Sequence, residues 1–204
     1  MDQAQPVAWA LDEGRCVSPY PGERAAGDAA VVHWPRPHVA HALLVDVAGH
    51  GPPAAELAAQ LCLAAAQWAD GSAADRLARC HAILRDTAGA VGLAVRVDLL
   101  AGQMQVAAVG NISWLMISAG DVRTGCAGQL GAVCPPARET DITLRGVETL
   151  VAATDGVRSA AWRWLAGPHP FASAGDLAHQ IVRRHQRRHD DAACIVLRAR
   201  PLAP

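Results

Sequence analysis

A chain of 204 residues with 51% apolar content can bury a sizeable core in one domain and is too apolar for global disorder. Its formal charge of −1 provides no overall field that would draw the protein to nucleic acid or to an acidic membrane. No apolar run approaches the ~18 residues a membrane helix requires.

The apolar content is mainly Ala, Val and Leu, with six Trp, one Phe and one Tyr, so tryptophan is expected to supply much of the core's bulk. The stretch from Met1 to Ala10 contains Asp2 and lacks a basic start followed by an apolar segment, unlike a signal peptide. Cys16, Cys62, Cys80, Cys126, Cys134 and Cys194 form neither a C-x-x-C pair nor a regular framework, which predicts reduced thiols and a cytoplasmic location. Catalytic thiol chemistry is not expected of cysteines so scattered.

Residues 29–34 and 40–47 read as two strands joined through Pro35-Arg36-Pro37, and the second is almost wholly apolar until it reaches Asp46. Pro52 and Pro53 open a helix over 54–69 whose buried face is Leu57, Leu61, Ala65 and Trp68. Ser72 and Asp75 form a capping-box start for a helix over 73–86, with Leu77, Cys80 and Leu84 on one face. Strands at 91–99, 103–109 and 113–118, separated by turn signals, read as an antiparallel meander. A hairpin across Gly146 is expected from 141–145 and 148–154, then a helix over 173–188 and a strand over 192–197. The order predicts an α+β fold of two packed, mainly antiparallel sheets with helices outside, as one domain spanning 1–204.

Asp28, Asp46, Asp155 and the pair Asp190-Asp191 all stand at the edges of apolar strands. One such carboxylate is an ordinary turn aspartate; several converging strand ends would create repulsion that hard cations such as Mg²⁺ or Mn²⁺ relieve. His33, His38 and His41 are read as structural or exposed rather than as a metal cluster, separated by alternating strand faces. The basic run Arg183 to His189 falls at a helix end, where cations complement the macrodipole; docking of an acidic protein is the second reading. Trp162 and Trp164 either pack inward from a surface helix or form a partner-contacting flap.

The segments Gly22-Glu23-Arg24-Ala25-Ala26-Gly27-Asp28, Asp46-Val47-Ala48-Gly49-His50-Gly51, Gly110-Asn111, Thr154-Asp155-Gly156-Val157 and Asp190-Asp191-Ala192 resemble, in order, the motifs of the protein phosphatase 2C-like superfamily. Within it, the chain is similar to the SpoIIE-type branch over residues 14–199. The stretch His81 to Ala90 and the lack of room for a sensor domain resemble the stand-alone stressosome phosphatases of the RsbX group.

The resemblance implies a four-layer αββα sandwich and a phosphoserine/phosphothreonine protein phosphatase with two divalent cations, Mn²⁺ or Mg²⁺. Asp46 matches the aspartate that bridges both cations, the Val47 backbone carbonyl an adjoining ligand, and Asp155 and Asp190 later ligands. Asp28 matches an acidic residue that contacts metal directly or through water. Gly49 and Gly51 permit the tight loop beside the cations. Two cations so held activate water for in-line attack on phosphorus. His50 is read as the general acid or as a loop-bonding residue, and is offset from the histidine of the eukaryotic loop. Arg24 lies near, but out of register with, the relatives' phosphate-holding arginine, and Ala193 stands where their closing motif has threonine.

The implied substrates are phosphorylated STAS-domain proteins, a stressosome scaffold or antagonist, acted on by a monomeric enzyme without nucleic-acid or membrane partners. An anti-anti-sigma factor is the rival substrate. A non-catalytic binding module of the same fold is the rival class.

Overall fold

The computed structural model describes residues 8–134, 136–167 and 171–202. The N-terminal segment read as unlike a signal peptide therefore lies mostly outside the described residues. Ten strands and four helices follow in the order β1 Trp9–Ser18, β2 Asp28–Arg36, β3 Val39–Val47, α1 Pro52–Ala65, α2 Ala73–Ile83, β4 Ala90–Asp98, β5 Gln103–Val109, β6 Ser113–Met116, β7 Val122–Thr124, β8 Glu139–Thr143, β9 Glu148–Ala153, α3 Ala160–Leu165, α4 Ala174–His185 and β10 Ala192–Pro201. They build two five-stranded antiparallel sheets, ordered β1-β10-β9-β6-β7 and β2-β3-β4-β5-β8.

Strand alternation explains the layers. Successive side chains of β3 point to opposite faces: Ala40, Ala42 and Leu44 join a core between the sheets, whereas Leu43, Val45 and Val47 pack beneath α1 and α2. The other sheet does the same, with Ile195 and Leu197 turned inward and Cys194 and Val196 turned to α3 and α4. Both faces of each central strand are thus covered, which is why β3 and β10 read as near-continuous apolar runs. The result is the expected αββα sandwich. No helix among the described residues is long and apolar enough to cross a membrane.

Ser72 caps α2 as its spacing predicts: its hydroxyl accepts from the Asp75 amide at 3.2 Å, and the Asp75 carboxylate accepts from the Ser72 amide at 2.9 Å. Helix α1 ends at Ala65, earlier than its periodicity suggests. Trp68 lies beyond it and turns its carbonyl toward His33 (3.2 Å) and Arg76 (3.0 Å).

Four expectations fail. The meander breaks after two strands, because β6 leaves for the other sheet and pairs with β9 and β7. That move places Trp114 and Met116 in the core between the sheets. The hairpin across Gly146 does not form either. Strand β8 has the alternating exposure of an edge and pairs with β5, while β9 is buried along its length and sits between β10 and β6.

Tryptophan supplies less core bulk than expected. Trp114 is 5% exposed, but Trp34 is 39% exposed and the others are half-buried, leaving Leu, Val, Ile and Met to fill the centre. His33 and His41 are not separated by strand faces: they are cross-strand partners with rings 5.2 Å apart. Their role is nonetheless structural. His41 accepts from the buried Arg76 guanidinium, and burial followed by the charge of Arg76 pushes its pKa down to about 3, so the ring stays neutral.

Candidate metal centre

The carboxylates reach one end of the sandwich from both sheets. Asp28 opens β2 and Asp46 nears the end of β3, directly opposite each other in the antiparallel ladder. From the second sheet, Asp155 follows the end of β9, and Asp190 and Asp191 precede β10. Thr154 joins the two sheets: its hydroxyl donates to Asp28 Oδ2 at 2.7 Å and accepts from the Ala193 amide at 2.9 Å. Asp191 is buried and accepts from the Tyr20 and Gly27 amides, each at 2.6 Å, which ties the 20–27 loop to the start of β10.

Gly156 explains how these strand ends come so close. A Cβ at that position would lie 1.6 Å from the Asp191 carbonyl oxygen, so only hydrogen fits between the two segments. Asp155 is then oriented by its neighbours. Its Oδ2 accepts from Asn111 Nδ2 at 2.7 Å, and its backbone carbonyl accepts from Arg187 Nε at 2.7 Å.

The carboxylates act on one another electrostatically. Burial and then the charge of Asp46 push the Asp28 pKa up to about 8, against the opposing hydrogen bond from Thr154. Burial, followed by Asp155, Asp190 and Asp191, pushes Asp46 up to about 7. Asp190 is raised as well, by burial and then by Asp155 and Asp191, with Arg187 acting in the other direction. Desolvation and like charge both disfavour the ionised forms.

The structure therefore brings Asp28, Asp46, Asp155 and Asp190 into mutual influence. The Val47 carbonyl faces Gly27, where an added Cβ would stand 3.2 Å from it. Gly49 and Gly51 have φ of 104° and 76°, in the left-handed region, and Gly51 caps the start of α1. His50 and Arg24 are exposed, and neither makes a hydrogen bond among the described residues; the loop-bonding reading of His50 finds no partner there. Thr154, Asn111 and Asp191 were visible in the motifs without a role, and Arg187 only as part of the basic run. Their contributions are hydrogen bonds across more than 30 residues of sequence, which spacing does not reveal.

All the acidic donors are hard oxygens, the chemistry that Mg²⁺ and Mn²⁺ prefer. Among the described residues, no three His, Cys, Asp or Glu groups form a ready-made metal cage. An open arrangement still suits Mg²⁺, which keeps several waters and takes few carboxylates. The raised pKa values of Asp28 and Asp46 come from burial and like charge, a cost that a nearby cation would relieve.

A pH test follows. A carboxyl whose folded pKa lies above its unfolded value of ~4 stabilises the protonated fold, and that contribution is lost as pH rises through the folded pKa. The metal-free protein should lose stability at this site as pH climbs from about 4 toward about 8. Mn²⁺ should accordingly raise the melting temperature more at the upper end of that window than at the lower. Thermal unfolding with and without the ion checks this; an ion effect independent of pH would show that the cluster is not where it binds.

The profile of the family described as Stage II sporulation protein E (SpoIIE) matches residues 36–200. A comparison with curated proteins gave no match. Among solved structures, a chain from work on the bacterial stressosome, a modular system adapted to control secondary messenger signalling, is 30% identical; the match covers 92% of this chain and 99% of that one, with a TM-score of 0.78. RsbX in complex with magnesium is 16% identical, over 93% of this chain and 95% of that one, with a TM-score of 0.79. The phosphatase domain of SpoIIE from Bacillus subtilis, with a fragment of its regulatory domain, is 15% identical over 97% of this chain and 65% of that one, TM-score 0.79. At such identities the last two show the fold alone. With the SpoIIE profile spanning most of its length, the chain belongs to the SpoIIE family, and its fold is that of the protein phosphatase 2C-like phosphatases.

Proposed function

We propose that this chain is a metal-dependent serine/threonine protein phosphatase acting on phosphorylated STAS-domain proteins of a stressosome or related partner-switching module. The observation that carries the chemistry is the convergence of Asp28, Asp46, Asp155 and Asp190 into one field that raises the pKa of three of them. Carboxylates placed so that they disfavour one another's ionisation cost stability, and a cation site is what gives that cost a use.

Asp28, Asp46, the Val47 carbonyl, Asp155 and Asp190 would hold two divalent cations, Mn²⁺ or Mg²⁺. Bound there, such ions supply an activated water and charge compensation for the phosphoryl oxygens. The protein's own part is positional. Thr154 fixes one oxygen of Asp28 and Asn111 one oxygen of Asp155. Gly49 and Gly51 leave open space beside the loop, since a Cβ at either would meet nothing within 4 Å. His50, exposed in that loop, is assigned as proton donor to the departing serine or threonine oxygen. Arg24, exposed on the 19–27 loop, is assigned to the phosphate.

The partner reading is supported by the 30% identical stressosome chain and by the similarity of His81 to Ala90 to the RsbX group. It carries with it a cytoplasmic, monomeric enzyme of one domain. A phosphorylated STAS scaffold and a phosphorylated anti-anti-sigma factor, each incubated with the protein and Mn²⁺, test it by phosphate release. Release from the scaffold well above that from an unrelated phosphopeptide is expected. Preference for the anti-anti-sigma factor would move the substrate assignment. No release from any phosphoprotein by the folded, Mn²⁺-loaded protein would leave a binding module.

A further inference from the structure

Residues 156–189 contain six arginines and a single carboxylate, Asp176, which lies in the first turn of α4. Part of this charge has an ordinary use at the end of α4. Cations near a helix C-terminus contribute about 0.3–1 kcal/mol each, within the last turn only. Here that end is already served from outside, because Arg158 donates to the Arg184 carbonyl at 2.8 Å and to the His185 carbonyl at 3.3 Å. Arg187 and Arg188 lie past the helix altogether.

Nor are these arginines taken up by salt bridges. The salt bridges among the described residues use Arg36, Arg96 and Arg198, and none involves Arg158, Arg184, Arg187 or Arg188, all of which are exposed. The strip is also held in place. Arg184 stacks 5.5 Å above the Trp164 ring, which itself lies 5.5 Å from the ring of His185. Arg187 joins its amide to the Gly156 carbonyl and its Nε to the Asp155 carbonyl, both at 2.7 Å. A basic strip anchored at Arg158, Arg184 and Arg187 therefore borders the acidic cluster, with Arg187 acting on Asp190 and none of its arginines in a salt bridge among the described residues.

We propose that Arg158, Arg184, Arg187 and Arg188 form a docking rim for acidic residues that flank the phosphorylated side chain of the partner protein. The inference rests on the phosphatase reading and adds to it the source of selectivity. A metal centre treats one phosphoserine much like another, so discrimination must come from contacts beyond the reacting phosphate. Guanidinium forks match carboxylates in planar, bidentate geometry, and a cationic strip steers an acidic segment toward the site.

Fluorescently labelled phosphoserine peptides with acidic, neutral and basic flanks, with a single-stranded oligonucleotide beside them, serve as probes of the metal-free protein. In about 0.05 M salt the acidic peptide should bind about tenfold tighter than the basic one, and the gap should close near 1 M, where the Debye length is ~3 Å. Arg184→Glu/Arg188→Glu should erase that preference, and Arg184→Gln/Arg188→Gln should reduce it. Both variants should hydrolyse p-nitrophenyl phosphate with Mn²⁺ at the wild-type rate. Equal binding of the three peptides, a preference that survives the charge reversal, or tighter binding of the oligonucleotide would overturn the proposal. Failure of the wild type to hydrolyse p-nitrophenyl phosphate would instead remove the phosphatase reading and leave the binding result standing.

Discussion

Asp46→Asn should reduce Mn²⁺-dependent hydrolysis of an aryl phosphate on the order of 10³-fold, while leaving the metal-free fold at least as stable as the wild type above neutral pH. The two halves of this expectation separate a functional carboxylate from a structural one. Asp46 is half-buried, faces Asp28 across the ladder and is pushed up by burial and by Asp155, Asp190 and Asp191. Replacing its carboxylate with an amide removes a charge the fold disfavours and, on the proposed function, a carboxylate that would hold the cations. Thermal unfolding in chelator and phosphate release with Mn²⁺ measure the two effects. A folded variant that retains chelator-resistant activity would eliminate the mechanism. Cys62→Ser provides the control: burial pushes the Cys62 thiol up to about 11, and no step uses it.

Gly156→Ala acts through geometry rather than charge and should cost about 3 kcal/mol, the upper end of overpacking penalties. The added methyl would stand 1.6 Å from the Asp191 carbonyl oxygen, so one of two backbones must move. Asp191 also holds the Tyr20 and Gly27 amides, so its displacement should loosen the loop that precedes Asp28. Urea unfolding should report the lost stability, and the melting shift given by Mn²⁺ should shrink with it. A variant as stable as the wild type would mean that the Asp155 and Asp190 segments are less tightly joined than described.

The acidic strand ends were legible in the sequence because burial and charge are both local properties. An apolar run that stops at Asp46 or Asp155 announces a carboxylate at a sheet's end, and the Ser72 cap was legible for the same reason. Strand partnership was not. Gly110-Asn111 offers the chemistry of a tight turn whether β6 folds back beside β5 or crosses to the other sheet. Crossing places Trp114 and Met116 in the core between the sheets, a long-range burial that turn chemistry does not encode. Strand β1 carries no apolar run of its own, for a related cause. Along Trp9–Ser18 only Gly14 is buried, and the ladder that makes the segment a strand is supplied by β10.

That ladder has a consequence for when the protein can work. Trp9 pairs with Pro201, and the sheet containing Asp155, Asp190 and Asp191 has β10 between β1 and β9. The hairpin carrying Asp28 and Asp46, with β4 and β5 beside it, is built from contacts close in sequence and can be complete while much of the chain is still being synthesised. The second half of the site must wait for β10, because strands so far apart in sequence meet only after a long loop has closed. A chain lacking β10 would also lack the Ala193 amide that holds the Thr154 hydroxyl beside Asp28. The acidic cluster is therefore expected to assemble only once β10 has paired with β9 and β1.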